Sequence, residues 1–143
     1  MKSLRTLAIG FFLSALFCAA PAGATECRDE TDVFAGTLWF VRTQHALNRT
    51  PIEAWRVTLK PPVCVLYKES VNAKEKSRLD DVATIHLLVT PSEAARLKGR
   101  SGARVTVRAG RDGGVSPALT AWHIGDAILI HAEIVSVGGK PFR

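Results

Sequence analysis

The chain has 143 residues, with 19 Lys and Arg against 13 Asp and Glu, and a formal net charge of +6. That length suits one domain with one real core, without a metal or several staples. The charge favours anionic partners, such as phosphorylated glycans, lipid head groups or acidic proteins, but is far below a nucleic-acid-binding density.

Residues 1–24 read as a secretory signal peptide. Lys2 and Arg5 form a basic start, residues 7–20 are apolar, and Ala22-Gly23-Ala24 offers the small-x-small pattern of a cleavage site. The apolar run stops at Pro21, short of the roughly 20 residues a spanning helix needs. Cleavage removes two positive charges, lowering +6 to +4, and leaves residues 25–143 as a single exported domain in the periplasm or secreted. Cys18 departs with the leader. Cys27 and Cys64 remain, an even number in an oxidising compartment, and are expected to pair as a disulfide.

The rest alternates like strands. Residues 33–41 are apolar on both faces, and in residues 54–60 Trp55, Val57 and Leu59 alternate with Arg56, Thr58 and Lys60. A third strand is expected at 63–67, a solvated charged loop at 68–81 and a fourth strand at 82–89. Thr90-Pro91-Ser92-Glu93 then starts a helix over 92–98: Thr caps it, Pro fits its first turn, and Glu can reach back to the cap. Gly99 ends it. Strands follow at 103–109 and 126–137, with a hairpin turn at Asp112-Gly113-Gly114. The expected fold is mainly β: a small Greek-key, OB-like barrel with one short helix, or alternatively an open β-sandwich of the same strands.

Catalytic signatures are weak. Gly114-Val115-Ser116-Pro117-Ala118 approaches a nucleophile elbow, but Pro117 opposes the helix that must follow. His45, His86, His123 and His131 show no metal-ligand spacing and no phosphate-binding glycine loop is present, so neither a metal nor a cofactor is expected. His123 is expected at a turn as a hydrogen-bonded residue. Binding residues are better candidates. Arg104 and Arg108 share a strand face within a stretch, 96–111, that contains no acid; Trp39, Trp122 and His123 could add flat rings to that surface. The reading is a periplasmic, non-enzymatic binding domain for an envelope protein or an anionic glycan. The alternatives are an envelope hydrolase using His123 with Asp126, and a secreted enzyme inhibitor.

Four blocks carry a resemblance: "GTLWF" at 36–40, "WRVTLKPPVCV" at 55–65, "LKGRSGARVTVRAG" at 97–110 and "TAWHIGDAILI" at 120–130. Over residues 33–137 the chain resembles domain-of-unknown-function family 4431, whose members often carry a second His directly after the first in the last block, where this chain has Ile124. The resemblance implies a small exported bacterial domain and assigns no activity.

Overall fold

The computed structural model describes residues 26–143; the expected leader lies outside them. Five strands close a barrel: β2 (Phe34–Gln44), β3 (Pro51–Tyr67), β4 (Ser77–Leu87), β5 (Arg104–Pro117) and β6 (Ala127–Val137). Around the ring the order is β3-β2-β5-β6-β4 and back to β3. Every seam is antiparallel except β4 with β6, a parallel pairing of Ile85–Leu87 with Ala127–Leu129. This is an OB-like barrel, and closure removes the open sandwich as an alternative. A two-residue β1 (Arg28–Asp29) lies parallel to the end of β3, and β7 (Lys140–Pro141) lies beside β6.

Alternation places one face of each strand inside. Leu38, Val57, Ile85, Val105, Val107 and Leu129 are completely buried there. Gly36 of β2 points inward, and a Cβ on it would stand 2.3 Å from the carbonyl oxygen of Thr58. Only glycine therefore lets β2 approach β3 so closely as it crosses to β5. The helix α1 (Pro91–Leu97) follows β4. Its predicted start is present in full, since Thr90 accepts from the Glu93 N–H while the Glu93 carboxylate accepts from the Thr90 N–H. Leu97, the last residue of the helix, is buried in the barrel core.

Three expectations change. Residues 54–60 and 63–67 form one long strand, because β3 continues through Pro61-Pro62 and a register shift against β4 between Thr58 and Val63 absorbs the interruption. β4 starts at Ser77, inside the expected charged loop: Ser77, Arg78 and Leu79 pair with Tyr67, Leu66 and Val65. Three side chains there find partners, Lys76 in Asp29 of β1, Ser77 in Glu69 and Arg78 in Asp80. Finally, Asp112-Gly113-Gly114 is not a hairpin turn. It belongs to a bulge within β5 that loops out between Ala109 and Gly114 opposite β6, where Gly113 passes too close to the Ile130 carbonyl for any side chain.

The disulfide joins Cys27 to Cys64 and fastens the segment carrying β1 onto β3. It is compatible with an oxidising compartment. Among the described residues no helix is long and apolar enough to cross a membrane.

Candidate binding face

The outward sides of β5, β2, β3 and β4 form one surface. Thr37 stands opposite both Thr58 and Arg104, and Thr58 stands opposite Thr84. In the next outward row Trp39 faces Arg56, which in turn faces His86. A groove of about 340 Å³ lies between Thr37, Thr58, Lys60, Gly102 and Arg104, and among the described residues no acidic side chain lines it. Trp39, 43% exposed, stands one outward position from Thr37 along β2.

Loop 118–126 between β5 and β6 is tied to this surface at β4 and at the β2–β3 loop. Ile52 and Ala54 of β3, His86 of β4 and Ile128 of β6 are buried although none belongs to the barrel core. The loop is attached to its neighbours at three points. Asp126 Oδ2 accepts hydrogen bonds from the N–H groups of Ala83 and Thr84, at 3.0 and 2.8 Å, and from the Thr84 hydroxyl at 2.9 Å. Ile124 N–H donates to His86 Nδ1 at 3.4 Å. Trp122 packs on His45, from the β2–β3 loop, with ring centroids 4.2 Å apart. His45 is itself a local anchor, its Nδ1 accepting from the N–H groups of Leu47 and Asn48.

The five predicted binding residues divide between two regions and a remote position. Trp39 and Arg104 lie on the open face. Trp122 and His123 sit on loop 118–126, where the His123 ring is 5.6 Å from that of His86. His123 is at a turn through its backbone, donating to the Thr120 carbonyl, but its Nδ1 is buried without a hydrogen-bond partner, as is Arg56 Nε. Arg108 does share Arg104's side of β5, yet it is not a free cation. Glu133, directly opposite on β6, accepts from its Nε and a terminal nitrogen at 2.9 and 3.0 Å. The expectation of two arginines without a local partner is therefore corrected to one, Arg104. The hydrogen bond from Arg108 also holds the Glu133 carboxyl below the usual range, despite slight opposing desolvation.

Arg56, His45 and His86 were not singled out by sequence. The alternation of residues 54–60 did place Arg56 outward, but the two histidines come together only through pairing and loop closure. Burial, then the neighbouring His123, pushes the His86 pKa down. Asp126, the carboxylate of the hydrolase alternative, is committed to β4, and no hydrogen bond joins it to His123. Among the described residues no group of three or more His, Cys, Asp and Glu is placed to hold a metal ion.

Fold and face together define an OB-like barrel domain whose outer β2–β3 surface is bordered by a folded-over loop. No family model, curated protein or solved structure matches this chain.

Proposed function

We propose that the protein is an exported, non-enzymatic binding domain of the bacterial periplasm that holds an anionic envelope component, either an anionic glycan or the acidic face of an envelope protein. The groove carrying Lys60 and Arg104 is the main support, because these cations meet beside two threonine side chains with no lining carboxylate. A sulfated, phosphorylated or carboxylated group fits that donor set, and Arg suits it better than a point charge would. Trp39 favours the glycan, since a flat indole beside a cationic groove can stack on a sugar ring while its neighbours hold the acid group. The blocks resembling family 4431 agree with an exported bacterial domain.

The test is retention on immobilised dextran sulfate, with neutral dextran as control. The protein should bind the sulfated polymer alone, and its binding should weaken with salt as exposed charges are screened. Lys60→Gln with Arg104→Gln should reduce retention about tenfold or more, since each lost charge-assisted contact is worth roughly 1 kcal/mol or above. Arg108→Gln should change it far less, because Glu133 already occupies that guanidinium. Absent retention, or retention indifferent to the Lys60/Arg104 pair, overturns the reading.

A further inference from the structure

Both loops beside the proposed binding face are held by imidazole nitrogens acting as acceptors. His86 Nδ1 receives the Ile124 N–H of loop 118–126, while His45 Nδ1 receives two N–H groups of its own loop and its ring carries Trp122. An imidazole accepts at Nδ1 only when that nitrogen bears no proton, so the contact that holds Ile124 requires a neutral His86 ring. Protonation would turn the His86 acceptor into a donor facing the Ile124 N–H. Both histidines are 7% exposed, so solvent cannot readily replace the lost contacts.

We infer that loop 118–126 is an acid-released flap, latched by neutral His86, whose opening adds positive charge to the face that takes the anion. The inference rests on the proposed anion-binding role of that face. The surroundings of His86 make a charged ring unwelcome from every side. β3 presents the Arg56 guanidinium opposite it, the flap presents His123, and β6 presents apolar Ile128. The flap's own carboxylate, Asp126, is occupied by Ala83 and Thr84. Opening would leave an imidazolium at His86 opposite Arg56, so the face becomes more cationic in acid.

The direction of the pH effect follows from the lowered His86 pKa. The closed form resists the proton that an open, hydrated His86 accepts near the ordinary value of about 6.5. Closure is therefore favoured above that pH and is lost progressively as the pH falls from it toward the lower closed-state value.

Amide hydrogen exchange of the full chain at pH 7.5 and 5.0, corrected for intrinsic rates, reads this without any ligand. Protection at Ile124 and its loop neighbours should fall at pH 5.0, by no more than the roughly thirtyfold that 1.5 pH units below the ordinary histidine value allow. The core amides of Val105 and Val107 should keep theirs. His86→Asn supplies an amide oxygen in place of Nδ1 that does not titrate, and should hold the flap closed at both pH values. Equal flap protection at the two pH values, an unchanged acid response in His86→Asn, or parallel loss of core protection each overturns the flap. Dextran sulfate binding to the wild-type chain should meanwhile strengthen at pH 5.0. Opening without any binding of dextran sulfate would refute the anion-binding reading while leaving the acid response of the loop intact.

Discussion

Arg104 and Arg108 show how two identical residues on one strand face acquire different chemistry. Their shared face was legible from spacing alone, four residues being two full strand periods. The difference was not, because Glu133 lies 25 residues from Arg108 and reaches it only through β5–β6 pairing. Asp126 teaches the same lesson in reverse: near His123 in sequence it suggests catalysis, but its Oδ2 accepts three donors on β4. Gly36 gives the sharpest prediction at this scale. A methyl group there would collide with the Thr58 carbonyl at 2.3 Å and the Val57 side chain at 2.6 Å, and backbone cannot swing aside as a long side chain can. Gly36→Ala should cost about 1–3 kcal/mol or more in urea unfolding. An unchanged midpoint would show that β2 can retreat from β3.

Among the elements, the helix was the most legible because its signals are local. Capping residues, proline and stop all lie within ten positions, and the structure uses each of them. Strand extents were less legible. The continuity of β3 past Pro61-Pro62 and the early start of β4 are decided by partners that hold both segments in register, which no local window contains. The bulge in β5 misled for a related reason: Asp-Gly-Gly favours positive φ, which Asp112 indeed adopts, and a bulge needs that conformation as much as a hairpin does. Two substitutions separate the helix's own stability from its role in the core. Thr90→Ala removes the cap and should cost about 1 kcal/mol. Leu97→Ala opens a cavity under the helix and should cost about 2–5 kcal/mol, and thermal unfolding that ranks the two in the opposite order would contradict the buried position of Leu97.

For the molecule as a whole, strand alternation and one short helix revealed the barrel, and the two cysteines outside the expected leader pointed to the disulfide. The histidine-latched loop was hidden: His45, His86 and His123 are separated by about forty residues each and meet only once the ring is closed. Cross-linking β1 to β3 closes a loop of 37 positions, for which chain entropy gives on the order of 4 kcal/mol. Reduction, or Cys27→Ala with Cys64→Ala, should lower the denaturation midpoint accordingly without altering far-UV circular dichroism of the folded state; an unmoved midpoint would count against that contribution. Ring closure also has a consequence for the order in which the chain is made. β6 is the last barrel strand in sequence, and it alone bridges β5 to β4. A chain emerging from its N-terminus thus carries two unpaired sheet edges until residues 127–137 arrive, the condition in which strands recruit foreign partners. One of the two seams then sealed is only three residue pairs long, and Asp126, immediately before β6, binds the β4 backbone just beyond it. The residue that anchors the flap is therefore also positioned to guide the final strand into place as the barrel shuts.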